Sequence, residues 1–270
     1  DFYKIRVIFA GMKKLAILGC GYLANIVADA VINGLLPEYN VIATYSRSFS
    51  KAEQLAAKLG GNCKACSSLK ELLALKPDFL VEAASPAAMK AIALPVLENG
   101  TSIVTISMGA FADTAFYEEV KTTAKVHGTH VYIASGATGG FDVLRTATLM
   151  GNASVRFFNE KGHYRLRNHP LYKPVMETEK GIVFSGTARE AIAWFPTGLN
   201  VAVAASIASV GPENMQVTMQ STPGFIGDTQ RVEIKNDQVY AIVDVYSATP
   251  EIAGWSIVST LQNIVSPIVF

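Results

Sequence analysis

The chain has 270 residues, of which 50% are hydrophobic and 17% charged, and its formal net charge is +1 at pH 7. This length allows one large domain or two modest domains with a sizeable core. The nearly balanced charge argues against a nucleic-acid-binding surface and a polybasic membrane-binding segment. The longest nearly apolar stretch, residues 201–210, is too short to span a bilayer.

Met12 has the features of a natural start, because the first predicted strand begins directly after it. We interpret residues 1–11 as a tag, a leader or an extra edge strand, and we predict no signal peptide. Three cysteines, an odd number, indicate no disulfide framework. Cys63 and Cys66 form one CxxC pair, which cannot complete a four-ligand zinc site, so no metal site is predicted. We favour ordinary thiols in a loop over a redox pair, and these thiols fit a reducing cytoplasm.

The first part of the chain alternates between short apolar runs and helical patterns. This alternation is typical of βαβ units, and it predicts an α/β fold with a Rossmann-type, doubly wound parallel sheet. Ligands of such sheets bind at the carboxyl ends of the strands. The predicted strands are 14–18, 41–45, 79–83, 102–106 and 130–134, and the predicted helices are 26–33, 50–60, 68–76, 87–98 and 113–127.

From about Ala153 longer alternating runs replace this pattern. They predict a second, α+β domain on a mostly antiparallel or mixed sheet. The predicted strands are 155–161, 216–220, 230–234 and 239–246, and the predicted helices are 188–194 and 201–209.

Residues 19–24, with the sequence Gly-Cys-Gly-Tyr-Leu-Ala, lie between the first strand and the first helix. This is the context that a dinucleotide-binding fingerprint requires. Gly19 allows a sharp turn, Gly21 lets a pyrophosphate approach the backbone, and Ala24 allows close helix–strand packing. The positive end of the helix then faces the phosphates. The alternative is a strand–helix turn with no ligand.

The end of the second strand selects between the two nicotinamide dinucleotides. NAD sites usually place an acidic residue there for the ribose 2′-hydroxyl, whereas this chain has Ser46 and Arg47. A guanidinium with flanking hydroxyls suits a 2′-phosphate, so NADP(H) is favoured over NAD(H). The alternative is that Arg47 stacks on the adenine or faces water.

Residues 135–140 form a second glycine-rich loop, Ser-Gly-Ala-Thr-Gly-Gly, directly after a predicted strand. We expect it to approach the nicotinamide or the substrate, the alternative being a flexible domain connection. His163 and His169 lie among several basic residues, which either hold a substrate carboxylate or form a solvated strand face. We favour the solvated face. The basic residues are Lys161, Arg165, Arg167 and Lys173.

With these features in place, the chain from Met12 onward resembles the L-aspartate dehydrogenase family over nearly its full length. The most specific segment is residues 135–142, Ser-Gly-Ala-Thr-Gly-Gly-Phe-Asp, because the family has a nearly identical loop. Supporting segments are Glu-Ala-Ala-Ser at 82–85, Ser-Met-Gly-Ala at 107–110, Phe-Ser-Gly-Thr-Ala-Arg-Glu-Ala at 184–191, Phe-Pro at 195–196 and Asn-Val-Ala at 200–202.

The resemblance implies a Rossmann domain that is completed by the C-terminal segment, and an α+β domain that binds substrate and builds an oligomer. The expected domains are residues 12–110 with about 245–270, and residues 111–244. The family reaction is reversible, NAD(P)-dependent oxidation of aspartate to iminosuccinate, which hydrolyses to oxaloacetate and ammonia. The resemblance therefore implies a small-molecule substrate and a homo-oligomer, which we expect to be a dimer.

The chain departs from the family where the family places its catalytic histidine. The family has Asp-Pro followed by Asn-x-His, and in this chain Asp228 stands for the Asn and Gln230 for the His. Because glutamine cannot exchange a proton near neutral pH, the usual acid–base group is absent. The Asn-Pro-Lys-Thr-Ser segment of the family is also lost, and residues 251–256 read Glu-Ile-Ala-Gly-Trp-Ser. Phe-Pro-x-Asn-x-Asn has become Phe-Pro-Thr-Gly-Leu-Asn at residues 195–200.

Three explanations remain open for this divergence. The enzyme reduces another imine or carbonyl, with Asp228, His163 or His169 as proton carrier; it performs aspartate chemistry slowly; or it binds NADP(H) without catalysis, as a sensor or scaffold.

We predict an NAD(P)-dependent oxidoreductase acting on a small amino acid or its imino or oxo partner. Asp228 is the first predicted catalytic residue. Gln230 is predicted to be a polar orienter, and His163 is the outside candidate for the catalytic role. The predicted cofactor residues are Gly19, Gly21, Tyr22, Leu23, Ser46, Arg47, Ala84, Ser85 and Gly109, and the predicted substrate residues are Gly136, Ala137, Thr138 and Asn200.

Overall fold

The computed structural model of the chain describes residues 11–270, so the interpretation of residues 1–11 as a tag, leader or edge strand falls almost wholly outside it. The chain divides into two compact units. The first unit comprises residues 11–110, Ala115–Ala134 and Ala253–Phe270, and the second comprises Phe111–Thr114 and Ser135–Ile252. Among the described residues, no helix is long and apolar enough to cross a membrane.

The first unit is built on a six-stranded, fully parallel sheet in the order β3-β2-β1-β4-β5-β6. This is the strand order of a Rossmann fold, and the predicted fold class is confirmed. The strands are β1 (Lys13–Leu18), β2 (Tyr39–Tyr45), β3 (Lys64–Cys66), β4 (Phe79–Glu82), β5 (Ser102–Thr105) and β6 (Val131–Ile133). The helices are α1 (Tyr22–Ile32), α2 (Phe49–Leu59), α3 (Leu69–Ala74), α4 (Pro86–Glu98) and α5 (Thr114–His127).

The predicted domain boundary at residue 110 is wrong for the last βαβ crossover. Strand β6 pairs in parallel with β5, with Ile103 opposite Val131, so this strand belongs to the parallel sheet. The C-terminal helix α9 (Glu251–Val265) also packs on the first unit. The Tyr39 hydroxyl donates to the Leu261 carbonyl over 2.7 Å.

The second unit contains a five-stranded sheet in the order β11-β10-β7-β9-β8. Its strands pair antiparallel except for β7 and β9, which are parallel, so the sheet is mixed. The strands are β7 (Ser154–Gly162), β8 (Gly181–Thr187), β9 (Gln216–Thr222), β10 (Asp228–Lys235) and β11 (Tyr240–Ser247). The helices are α6 (Phe141–Leu149), α7 (Ala188–Trp194) and α8 (Asn200–Ile207).

We call the face of the mixed sheet that carries the buried Phe157 the inner face. Every second residue of each strand projects from this face. At one end the inner face is apolar, because Phe157 on β7 lies between Val232 on β10 and Val217 on β9. At the other end Asn159 lies opposite Gln230, and Lys161 lies between Asp228 and Ser221. We call these five side chains the polar rows.

Candidate active site

The glycine loop after β1 is a tight turn packed on the end of β4. Gly19 has a φ of +89°, and a Cβ at this position would lie 2.7 Å from the carbonyl carbon and oxygen of Ala83. Gly21 is exposed, has nothing within 4 Å of an added Cβ, and is the N-cap of α1 with no side-chain capping bond. An open backbone beside an uncapped helix N-terminus fits a pyrophosphate group.

The other predicted cofactor residues of the first unit lie at the same edge of the parallel sheet. Parallel strands end side by side, so the segments that follow β1, β2, β4 and β5 are neighbours. Tyr22 begins α1 and is 54% exposed. The residues gathered at this edge are Gly19, Gly21, Tyr22 and Leu23 after β1, Ser46 and Arg47 after β2, Ala84 and Ser85 after β4, and Gly109 in the 3-10 helix after β5.

The segment after β2 presents a guanidinium and hydroxyls at the start of a helix. Arg47 is exposed, and Ser48 is the N-cap of α2 with no side-chain capping bond. The Ser48 hydroxyl instead lies 3.1 Å from the Ser50 hydroxyl. This arrangement leaves the first N–H groups of α2 and the Arg47 side chain available to an anion.

A buried carboxylate orders the segments that follow β4 and β5. Glu82 is 0% exposed, and its Oε1 accepts from the N–H groups of Ala84 at 2.9 Å and Ser85 at 3.1 Å. Its Oε2 accepts from the Thr105 hydroxyl at 2.7 Å, and the Ser107 hydroxyl donates to Oε1 at 3.1 Å. Burial raises the pKa of Glu82, and these four hydrogen bonds act in the opposite direction. Glu82 was not among the predicted site residues, although it ends an apolar strand beside them.

Three donors converge on Asp228, the first residue of β10. The Lys161 ammonium lies 3.2 Å from Asp228 Oδ2. Asp228 Oδ1 accepts from the side-chain amide of Gln230 at 2.9 Å and also from that of Asn159. Lys161 donates in addition to the Gly198 carbonyl at 3.0 Å. The side chains of Lys161 and Asp228 are only 9% and 17% exposed, so this ion pair is shielded from solvent.

Several oxygens of the second unit are buried without a hydrogen-bond partner among the described residues. Three of them belong to the polar rows, namely Asn159 Oδ1, Gln230 Oε1 and Ser221 Oγ. Buried polar atoms are rarely left unpaired in a folded protein, and an exception points to a ligand or a water. The polar rows therefore combine a charged pair with unpaired acceptors.

The second glycine-rich loop leads onto the same face of the mixed sheet. Gly140 has a φ of +69°, and a Cβ there would lie 2.5 Å from the Cγ2 of Val243, which pairs with Val232 on the inner face. Gly136 and Thr138 are buried, Ala137 is half-buried, and the Thr138 hydroxyl lacks a partner among residues 11–270. Asn200 is half-buried as the first residue of α8, two residues after the Gly198 carbonyl that accepts from Lys161.

The predicted basic group is not one solvated face. Lys161 is 7% exposed, whereas Arg165, Arg167 and Lys173 are exposed. The alternation of β7 explains this, because it turns Lys161 toward the core. His169 stacks on Phe195 with ring centroids 4.4 Å apart, and its Nε2 lies 2.8 Å from the Trp194 carbonyl oxygen, so it has a packing role.

His163 lies in a 3-10 helix just after β7, and its buried Nδ1 has no partner among residues 11–270. In the described part of the chain, no hydrogen bond or ion pair joins this histidine to Asp228 or Gln230. Asn159 was not predicted from the sequence as a site residue, and Lys161 was predicted only as a member of the basic group. Their signal was the strict alternation of residues 155, 157, 159 and 161, which gives a polar end to an otherwise apolar face.

Two known protein domains match this chain, one in its N-terminal half and one in its C-terminal half. Residues 19–134 match the homoserine dehydrogenase NAD-binding domain, and residues 142–264 match the C-terminal domain of aspartate dehydrogenase. The L-aspartate dehydrogenase of Methanosarcina mazei is 31% identical over 269 residues, covering 95% of this chain and 98% of the relative. That of Methanocaldococcus jannaschii is 34% identical over 209 residues, covering 76% and 78%.

Solved structures give the same result. Aspartate dehydrogenase from Thermotoga maritima superimposes with a TM-score of 0.76 at 27% identity, covering 96% of this chain and 99% of that chain. A hyperthermophilic archaeal homoserine dehydrogenase, solved in complex with NADPH, has a TM-score of 0.62 at 14% identity and covers 92% and 96%. At that identity the likeness shows the fold alone.

The fold, the glycine loop and these matches define the chain as an oxidoreductase that uses a nicotinamide dinucleotide and acts on a small molecule. The comparisons do not favour a catalytically silent sensor or scaffold. Within this class, the chain belongs to the L-aspartate dehydrogenase family.

Proposed function

We propose that the protein oxidises the amino group of aspartate, or of a closely related small amino acid, to the imine, and that it also catalyses the reverse reduction. The observation that carries this proposal is the buried Asp228–Lys161 pair with its two amide neighbours, in a chain of this family. When bound, the dinucleotide accepts or returns the hydride of the substrate α-carbon. The residues of the protein bind, orient and manage protons around that transfer.

Proton exchange is assigned to Asp228 in this proposal. Its carboxylate accepts from Lys161 and from the amides of Gln230 and Asn159, so it is held in one orientation. Gln230 orients the carboxylate. His163 is the outside candidate for proton exchange. The proposed substrate contacts are Gly136, Ala137, Thr138 and Asn200.

The test of this assignment is turnover of aspartate and a panel of amino acids and oxo acids with ammonia. Positioned proton transfer contributes about 10²- to 10⁴-fold, so Asp228→Asn should lower kcat about 100-fold or more. His163→Ala, the matched control, should change kcat less than about threefold. Loss of activity in His163→Ala alone would transfer the role to the histidine, and absence of turnover by the unaltered protein would contradict the proposed function.

The second part of the proposal is a preference for NADP(H) over NAD(H). It is supported by the exposed Arg47, the Ser46 hydroxyl and the uncapped N-terminus of α2. Pyrophosphate contacts are assigned to Gly19 and Gly21 at the start of α1. The remaining proposed cofactor residues are Tyr22, Leu23, Ala84, Ser85 and Gly109.

Arg47→Ala tests the preference directly. Hydrogen bonds to charged groups contribute about 1.5–3 kcal/mol, so the Kd of NADPH should rise about tenfold to a hundredfold while the Kd of NADH changes little. Lys51→Ala is the control, because Lys51 is an exposed residue inside α2. An equal loss for both dinucleotides would contradict the preference.

The third part is a homodimer that works in the cytoplasm, where its free thiols stay reduced. The dimer is supported by large exposed side chains on the outer face of the mixed sheet, which include Tyr240, Ile242 and Tyr246 on β11. Exposed apolar patches mark interaction surfaces. Analytical ultracentrifugation should give twice the chain mass for the unaltered protein and the chain mass for Ile242→Glu; a monomer at all concentrations would contradict the dimer.

A further inference from the structure

We infer that the side-chain oxygens of Asn159 and Gln230 bind the nitrogen of the substrate and stabilise the iminium ion that forms on it. This inference rests on the proposed function, because it names the substrate group that the polar rows recognise.

The orientation of both amides is set by Asp228. A carboxylate accepts hydrogen bonds, so each amide that approaches its Oδ1 must present its NH₂ end. Gln230 Nε2 lies 2.9 Å from that oxygen, and Asn159 Nδ2 donates to it and to the Thr229 carbonyl, the latter over 2.9 Å. Neither amide is therefore free to turn its oxygen toward Asp228.

The consequence is a pair of acceptors without donors. Asn159 is 0% exposed and Gln230 is 3% exposed, and among residues 11–270 no donor reaches Asn159 Oδ1 or Gln230 Oε1. The two residues are directly opposite each other on neighbouring strands, which places their Cβ atoms about 5 Å apart. Both are held on the inner face that also receives the end of the second glycine-rich loop.

An amine that becomes an iminium ion supplies the missing donors. When the Cα–H bond breaks, its electron pair leaves as hydride to the nicotinamide ring, and the nitrogen lone pair forms the C=N bond. No proton moves in this step, and the product nitrogen carries two N–H groups and a positive charge. Two fixed amide oxygens match both N–H groups, and preorganised dipoles aimed at a developing charge favour its formation.

This role also accounts for glutamine at position 230. An imidazole exchanges protons, whereas a glutamine amide offers a permanent acceptor. Hydride transfer between amine and iminium ion requires no proton carrier at this position. Lys161 is a positioning residue in this arrangement, since it holds Asp228 rather than the substrate nitrogen. Asp228 holds both amides, in addition to the proton exchange that the proposed function assigns to it in a separate step.

The experiment compares Asn159→Leu and Gln230→Met with Gln216→Met, the control at an exposed glutamine on the same sheet. Calorimetry in the presence of NADP⁺ measures the binding of aspartate and of succinate, which has the same carboxylates and no nitrogen. We expect each inner-face variant to weaken aspartate binding about tenfold to a hundredfold and to leave succinate binding within about twofold. Equal losses for both ligands, or no loss for aspartate, would overturn the inference.

A second arm does not depend on the identity of the amino acid. Methylammonium chloride should raise the Tm of the unaltered protein and of Gln216→Met relative to potassium chloride at equal ionic strength, and should not raise that of Asn159→Leu or Gln230→Met. An equal response of all four proteins, or a response of none, would overturn the inference. Failure of the proposed function alone would appear differently, as absence of amino-acid turnover with the methylammonium response intact.

Discussion

The carboxyl edge of the parallel sheet and the polar rows of the mixed sheet present different kinds of chemical group to a ligand. The edge offers backbone N–H groups and glycines, contributed by segments that each follow a strand directly. The polar rows offer side chains from three strands, and residues as far apart in the chain as Asn159 and Asp228 meet there. A backbone site tolerates changes of side chain but not of chain path, whereas a side-chain site changes its chemistry with single residues.

This difference predicts that substitutions have different consequences at the two places. The role proposed for the glycine loop depends on φ angles and on close approach of the backbone, as at Gly19. A side chain of the polar rows can change without disturbing the sheet, because each side chain projects from a ladder that the backbone alone holds together. The departure from the family motif that the sequence predicts at Asp228 and Gln230 would be a change of this kind.

Gly19→Ala should have the largest effect, because it tests the dependence of the edge on chain path. A Cβ at Gly19 would meet the backbone of Ala83 at 2.7 Å in addition to the strained φ of +89°. We expect a loss of about 4 kcal/mol or more in the free energy of unfolding, measured by urea denaturation, together with loss of dinucleotide binding.

Gly34→Ala is the matched control for that change. Gly34 has a similar φ of +74° but nothing within 4 Å of an added Cβ, so it should lose only about 1 kcal/mol. Equal losses at the two glycines would show that conformational strain, rather than packing on β4, governs the loop.

The polar rows should respond instead to the loss of one charge. Lys161→Met leaves Asp228 without its cation in a shielded site, and breaking a buried pair in this way costs about 3 kcal/mol. Arg231→Met is the control on the same sheet, because Arg231 and Asp244 form an exposed pair at 3.7 Å that should contribute less than about 1 kcal/mol. Chemical denaturation of both variants measures the contrast, and similar losses would mean that Lys161 and Asp228 are not shielded from solvent.

The parallel sheet could be predicted from the sequence because each of its signals is local. Strand, glycine turn and helix follow one another within about 20 residues around Gly19. The helix predicted at residues 68–76 has Ser68 as its N-cap, and the Ser68 hydroxyl accepts from the Glu71 N–H at 3.2 Å. The three-residue strands β3 and β6 are harder to predict, since so short a run shows little periodicity. Strand β6 was predicted, but it was assigned to the wrong domain.

The polar rows could be predicted only in part, because the register of strands that are distant in the chain creates them. Asp228 and Gln230 were singled out by their positions in the family motif. Asn159 and Lys161 become neighbours of these residues only through the pairing of β7 with β10. A one-residue shift of that register would place Asn159 and Lys161 on the opposite face of the sheet from Asp228 and Gln230. No local sequence pattern fixes the register.

The smallest expected effect is at Glu82, a buried carboxylate that supports the backbone edge. Burial raises the pKa of Glu82 above its ordinary value of 4.5, so the folded state binds its proton more tightly than the unfolded state does. The resulting stabilisation is complete below about pH 4.5 and is lost as the pH rises through the folded pKa, at about 1.4 kcal/mol for each unit of difference. Glu82→Gln cannot titrate and keeps an oxygen for the N–H groups of Ala84 and Ser85. The difference in unfolding free energy between the unaltered protein and this variant should therefore fall from pH 4.5 upward, and parallel pH profiles would mean that the four donors around Glu82 outweigh its burial.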